Sequence, residues 1–322
     1  MKVLVTGAAG FLGRAFVRHH VAAGDIILGI DDMSAEHAKR PEELVASQPN
    51  PGRYPSFQER EVRDWLAHAA AATEKYDVVY HFAAPVGGRV TIEGDPFFNA
   101  GSLAIDSDLF RHFAKYGNAD LIVYPSSSAV YGVSLQDGKG QMLYEGMFHP
   151  NKVQWLAPDE MYGFTKMVGE MLAWRYAGYG HDVLCLRPFT GYGEEQSLDY
   201  PTPSIAQRAK RREDPLVVWG SGQQTRDFVH VDDIVGASEA RIDAGVKGYQ
   251  TMNIGSGEAT SFLAVARKMA DIVGYSPEIT SDTGKPEGVM ARYCDPLKML
   301  RYYTPKVSLE DGFRRVIEAV EA

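Results

Sequence analysis

The chain has 322 residues, 45% of them hydrophobic, and a formal net charge of −9. That length and composition suffice to bury a large core, and the acidity argues against a general polyanion binder such as a DNA-binding protein. No stretch approaches the ~20 apolar residues that span a bilayer. The opening MKVLVTGAAGF lacks a signal-peptide core and cleavage site, so a cytoplasmic protein without membrane contact is expected.

KVLVT (Lys2 to Thr6) reads as a short buried strand, followed by a glycine-rich turn and an apolar helix from Phe11 to Ala23. IILGID (Ile26 to Asp31), VVYHF (Val78 to Phe82) and LIVYP (Leu121 to Pro125) continue the strand series. Short apolar strands separated by helical segments indicate parallel βαβ units, and right-handed crossovers then give a doubly wound α/β sheet of Rossmann type. A long helix is expected from Pro158 to Gly178, and VLCLRP (Val183 to Pro188) and TMNIG (Thr251 to Gly255) read as two further strands. The stretches from Gly191 to Pro215 and from Ser276 to Pro296 break the alternation. They suggest a smaller C-terminal substrate lobe, interleaved with the Rossmann core. The division is drawn as 1–188 plus about 228–258 for the core, and 189–227 plus 259–322 for the lobe.

Two cysteines exclude a disulfide scaffold. Cys185 lies in the apolar run VLCLRPF and reads as a core thiol; Cys294 follows Arg292 and Tyr293. No Cys/His spacing of the zinc-binding kind occurs and the nine histidines are scattered, so no metal is expected. The basic run RAKRRED reads as a solvated helix face, because acids follow at once and no aromatic residues interleave.

Gly7, Gly10 and Gly13 form G-x-x-G-x-x-G between the first strand and the first helix. Small residues here let the chain turn sharply, bring backbone N–H groups to a pyrophosphate and pack the helix close to the sheet. The helix-opening Phe11 and Leu12 complete this candidate set. Asp31 ends the second strand, eighteen residues after Gly13. A carboxylate there accepts hydrogen bonds from the ribose hydroxyls of adenosine and repels a 2′-phosphate, favouring NAD over NADP. Asp32 competes for the role.

Two further patterns narrow the chemistry: SSSAVYG from Ser126 to Gly132, and Y-x-x-x-K, formed by Tyr162 and Lys166. Residues four apart share a helix face, so both side chains can enter one cleft. An ammonium beside the phenol favours the phenolate, which can act as general base on a sugar hydroxyl. A serine hydroxyl can hold the same oxygen.

With these motifs in order, the sequence resembles the extended short-chain dehydrogenase/reductases, in particular their nucleotide-sugar epimerase/dehydratase branch. TGAAGFLG, VVYHFAA, SSSAVYG, YGFTK, LRPFTGYG, TRDFVHVDD and MNIGSG carry the likeness along nearly the whole chain. The resemblance implies NAD as cofactor and a nucleoside-diphosphate sugar as substrate. It assigns the base to Tyr162, the nicotinamide-ribose contact to Lys166 and the hold on the reacting oxygen to Ser127. Ala83 would line the cofactor, Pro188 would sit beside the nicotinamide carboxamide, and Arg226 and Arg292 would hold the pyrophosphate. A salt bridge to Asp227 or Asp232 is the alternative reading of Arg226. A homodimer through a four-helix bundle is also implied, built on the helix that begins after Asn99 and the helix carrying Tyr162.

Family dehydratases place an Asp–Glu pair after the serine, and decarboxylases a glutamate at the second position; here those positions are Ser128 and Ala129. SSSA is the pattern of the 4-epimerases, so epimerisation at C4 through a transient 4-keto sugar is expected. Ser128 and Thr190 join the candidate substrate contacts; Thr190 replaces an asparagine common in the family. The loop from Ala84 to Pro96 contains Gly87–Gly88–Arg89 and is similar to that of GDP-mannose 3,5-epimerases, as is PEGVMARYCD. Gly87 and Arg89 are therefore candidates to approach the sugar, and 3,5-epimerisation stays open. So does an NAD(P)H-dependent 4-keto-sugar reductase, which would use the same Ser, Tyr and Lys.

Overall fold

The computed structural model describes residues 1–35, 37–40, 56–152 and 157–322. Seven strands form the main sheet: β1 (Lys2–Thr6), β2 (Ile26–Asp31), β3 (Ser56–Glu59), β4 (Tyr76–His81), β5 (Ala119–Pro125), β6 (Asp182–Pro188) and β7 (Tyr249–Ile254). Their order is β7-β6-β5-β4-β1-β2-β3, and every neighbouring pair is parallel.

Alternation along each strand feeds two apolar layers. Val3, Val5, Val78, Tyr80, Val123, Leu184 and Leu186 face α1 (Phe11–Ala22). Leu4, Val79, Ile122, Tyr124, Val183 and Cys185 face α2 (Ser102–Tyr116) and α3 (Glu160–Ala177). A fourth helix, α4 (Val231–Asp243), joins α1 on the first face through Ile234, Val235 and Ala237. A one-residue slip would reverse every side chain. At ~1.5–3 kcal/mol per fully buried aliphatic or aromatic side chain, that fixes the register.

The strand order reverses at β1, which lies between β2 and β4. In such a sheet the crevice for a ligand opens at the C-terminal ends of the strands beside the reversal. The segments after β1 and β4 meet there. An added Cβ on Gly7, whose φ is +70°, would lie 2.5 Å from the carbonyl carbon of Phe82 and 2.6 Å from the amide of Ala83.

A separate apolar cluster lies away from the sheet. It includes Ile205, Val218, Phe262, Met269, Phe313 and Val316. Above the crevice, Thr225–Arg226 pairs antiparallel with Thr260–Ser261 and parallel with Ala291–Arg292.

The expected strands and helices are present, with small shifts of boundary. The long helix starts at Glu160 rather than Pro158, with Asp159 as its N-cap residue. β3 escaped the sequence reading because its SFQE segment is almost wholly exposed and carries no alternation. No helix among the described residues is long and apolar enough to cross a membrane.

Candidate active site

The glycine turn follows β1 directly. Gly7 N–H donates to Ile30 O at 2.8 Å, and an added Cβ on Gly13 would fall 2.0 Å from Gly7 O, so α1 can start this close to the turn only with glycine there. Asp31 is buried beside it; its carboxylate accepts N–H donors from Ala9 at 2.9 Å and Met33 at 2.8 Å. Burial pushes that carboxyl above its usual range. Asp32 is exposed and caps Ser34, so of the two candidates Asp31 is the one against the glycine turn. Arg14, which the sequence reading passed over, is buried and braces the turn. It donates to Ala9 O at 2.7 Å and Glu195 O at 2.8 Å.

Ser127, Tyr162 and Lys166 come together at the ends of β5 and α3. Ser127 caps a short 3-10 turn, Ser128–Val130, by accepting the Ala129 N–H at 3.1 Å. Its own hydroxyl proton has no acceptor among the described residues. The start of α3 is pressed onto this turn: Asp159 N–H donates to Ala129 O at 3.2 Å, and an added Cβ on Gly163 would lie 2.4 Å from that same oxygen. Glu160 has φ +56°, the left-handed region that L residues rarely adopt, two residues before Tyr162. Lys166 is only 4% exposed, and its Nζ lies 5.9 Å from the ring centre of Tyr162 and 5.4 Å from that of Tyr124. Among the described residues this ammonium has no hydrogen-bond or ion-pair partner. Its stem is buried, and its ammonium is free to take an acceptor. With the glycine cradle and Asp31, it fits the ribose and pyrophosphate of a dinucleotide. Tyr200, also missed from sequence, lies close by; burial and then the neighbouring Tyr162 push its phenol upward.

Two buried networks hold this machinery in place. Glu170 of α3 binds Arg187 of β6 through both oxygens, at 2.7 and 2.6 Å, and takes the hydroxyls of Ser126 and Tyr249. Arg187 spends its remaining donors on Tyr131 OH, Glu145 O and Phe148 O, so every group is satisfied. Despite burial, which raises it, Arg187 holds the Glu170 carboxyl below its usual range. Below α3, Thr6, His81, Asp106 and Tyr124 form a second chain, with links of 2.8, 3.1 and 2.7 Å.

Three arginines converge beyond the tyrosine. Arg89 donates to both oxygens of Asp159, at 2.9 and 3.1 Å, and Arg292 donates to Asp159 Oδ2 at 2.7 Å and Gln136 Oε1 at 2.5 Å. Burial raises Asp159, but Arg292 and Arg89 hold it below the usual carboxylate range. Arg226 differs. Among the described residues it donates only to carbonyls, Thr225 O and Val289 O at 2.8 Å and Glu287 O at 3.3 Å, and pairs with no carboxylate. Burial, then the nearby Arg292, lowers it to about 9. The alternative of a salt bridge to Asp227 or Asp232 is not realised. Asp227 takes the amides of Ser256, Gly257 and Cys294, and Asp232 pairs with Arg315.

Pro188 ends β6, and Thr190 N–H donates to Asp227 O at 2.8 Å next to Arg226. Ser128 is buried beneath the Ser127 turn. Gly87 packs on Thr91, and Gly88 lies against the backbone of Asp199, just before Tyr200. Both cysteines are buried, and burial pushes each thiol upward.

A family model described as the NAD dependent epimerase/dehydratase family matches residues 3–255. The chain belongs to that family. An uncharacterized UDP-glucose epimerase of Bacillus subtilis (strain 168) is 30% identical over 98% of this chain and 97% of its own length. A dTDP-4-dehydro-6-deoxy-D-allose reductase of a Streptomyces species is 30% identical over 92% and 89%. Among solved structures, the UDP-glucuronic acid 4-epimerase of Bacillus cereus, in complex with UDP-glucuronic acid and NAD, is similar at a TM-score of 0.84. It is 26% identical, covering 99% of this chain and 98% of its own.

Proposed function

We propose that this chain is an NAD-dependent epimerase of a nucleoside-diphosphate sugar, acting at C4. One observation carries the choice within the family. Tyr162, Lys166 and Ser127 meet at a turn whose next two residues are Ser128 and Ala129, so neither of these positions offers an acid for elimination of water or loss of carbon dioxide. Tyr162 takes the O4 proton as phenolate, with Lys166 on the same helix face as its cationic neighbour. Ser127 Oγ, already fixed as an acceptor by Ala129, donates its free proton to the same oxygen. Gly7, Gly10, Phe11, Leu12, Gly13, Asp31, Ala83, Lys166 and Pro188 would hold NAD, which when bound supplies a hydride acceptor that gives the hydride back. Arg226 and Arg292 would take the diphosphate. Among the described residues Arg226 has no anion of its own, and a guanidinium fork suits phosphate oxygens.

A 3,5-epimerase needs further acid–base groups. The two cysteines are buried and Ala129 occupies the place after the serine pair, so that reading has less support. A 4-keto-sugar reductase would use the same three residues, and one relative is named as such an enzyme. Incubating the purified protein with UDP-, GDP- and dTDP-sugars and with their 4-keto forms, in the presence of added NAD(H) or NADP(H), separates these. C4 inversion without consumption of added nicotinamide supports the proposal. Turnover only of 4-keto sugars, with stoichiometric loss of NAD(P)H, would replace it by the reductase.

The division into a Rossmann core and an interleaved substrate lobe is supported by the separate apolar cluster around Phe228, Phe262 and Phe313. Exposed Phe164 and Met171, seven residues apart on α3, with exposed Phe97 and Phe98 nearby in sequence to α2, support a homodimer through these helices. The net charge of −9 supports no role for nucleic acid, and two buried free thiols suit a cytoplasmic setting.

A further inference from the structure

Far from the crevice, near the C-terminal end of α1, His19 and His20 face Glu239 of α4. We propose that His19 Nε2, His20 Nε2 and the Glu239 carboxylate bind one divalent transition-metal ion of the zinc class, leaving a fourth position for water.

His20 carries the argument. Its side chain is 0% exposed, and Nδ1 lies 2.8 Å from Asp25 Oδ2. A carboxylate accepts, so Nδ1 bears the proton and Nε2 presents a lone pair. That Nε2 is buried and has no hydrogen-bond partner. It points at Glu239 Oε1 from 3.8 Å, too far for a hydrogen bond. Glu239 is in a complementary position. Tyr80 OH donates to its Oε1 at 2.6 Å, and among the described residues no lysine or arginine is paired with it. Among the described residues its potential cationic neighbours are His20 and His19, the latter with Nε2 3.9 Å from Oε2. Asp25 and Asp243 add to the negative field there.

The three donor atoms all lie within 4.8 Å of one another. Around a tetrahedral zinc with bonds near 2.0 Å, ligand atoms stand about 3.3 Å apart, so the set must tighten. His19 can supply that movement, because its side chain is 42% exposed while the other two are held. The outer partners are already present: Asp25 fixes the tautomer and ring of His20, and Tyr80 orients Glu239. Such supports accompany metal-binding histidines and carboxylates. Two imidazoles and one carboxylate favour zinc, cobalt, nickel or copper over magnesium or calcium. The ion would clip α1, which opens at the glycine turn, to α4, which follows the Arg226 segment. It would lie about 15 Å along α1 from Gly10, too far to touch the reacting atoms.

The test is titration of the chelator-stripped, full-length protein with Zn²⁺ alone by calorimetry, repeated with Co²⁺ followed by visible absorption. One equivalent per chain is expected, with a rise in Tm on loading. His19→Ala removes an exposed side chain and Glu239→Gln keeps the shape, so both fold; each weakens binding at least tenfold. His68→Ala, at an exposed histidine elsewhere, leaves it unchanged. Absence of saturable binding, or equal binding by wild type, His19→Ala and Glu239→Gln, overturns the proposal.

Discussion

Gly163→Ala tests how tightly Tyr162, the proposed base, is placed. The new methyl would sit 2.4 Å from Ala129 O, a backbone atom that has no rotamer to yield, whereas ordinary contact begins at 3.4 Å. Either α3 or the Ser127 turn must retreat by the difference, 3.4 − 2.4, about 1 Å. Tyr162 is the adjacent residue on α3, and Ser127 caps the turn that Ala129 belongs to. The displacement therefore falls between the two groups that must hold one oxygen. A misplacement of about 1 Å costs on the order of 100-fold in rate. Overpacking costs about 1–3 kcal/mol, offset by about 1 kcal/mol of improved helix propensity. Stability should thus change little while kcat falls about 100-fold and KM for the sugar moves only a few-fold. Steady-state kinetics beside a melting curve read this out, with Gly94→Ala as control, since nothing lies within 4 Å of that position. A folded Gly163→Ala enzyme with kcat within twofold of wild type would refute the reasoning.

Arg226→Met should raise KM for the nucleotide sugar about 10–100-fold, by loss of charge-assisted hydrogen bonds worth roughly 1.5–3 kcal/mol. An unchanged KM would contradict the assignment. Glu170→Gln strands a wholly buried Arg187 and should cost about 3–5 kcal/mol in urea unfolding, a loss that a surface pair would not produce. Acid unfolding carries a further signature at Glu194. Burial raises this carboxyl, yet hydrogen bonds from His230 and Arg315 hold it at about 2. Its contribution is present above the unfolded value of about 4.5 and is lost as pH falls from there towards 2. The stabilisation is at most about 3 kcal/mol before solvent screening. Glu194→Gln should flatten that part of the stability–pH curve, and an unchanged slope would show the group is uncoupled from folding.

The main sheet was legible because its strands are buried on both faces and spell themselves out as apolar runs. KVLVT, LIVYP and VLCLRP sit almost where the sequence puts them. β3 was not legible, since an exposed edge strand is held by its pairing to β2 and leaves no hydrophobic trace. The glycines, Asp31, Ser127, Tyr162 and Lys166 could be read because each lies at a fixed offset from a strand or helix end. Asp159 could not. Its significance comes from Arg89 and Arg292, 70 and 133 residues away in sequence, and nothing in its local context distinguishes it from an ordinary helix cap. Arg14 and Tyr200 were hidden for the same reason. The histidine pair on α1 was equally silent, because adjacent histidines have no metal-ligand spacing until α4 brings Glu239 against them.

In the proposed reaction, hydride leaves C4 and returns to C4 on the other face. This is tested most directly by running the reaction in heavy water with a sugar nucleotide that the enzyme turns over, and reading the product by NMR and mass. The expected product is inverted at C4 and carries no deuterium bound to carbon. Deuterium at C3 or C5 would mean that a carbon acid had been ionised, and would contradict C4 epimerisation by Ser127, Tyr162 and NAD.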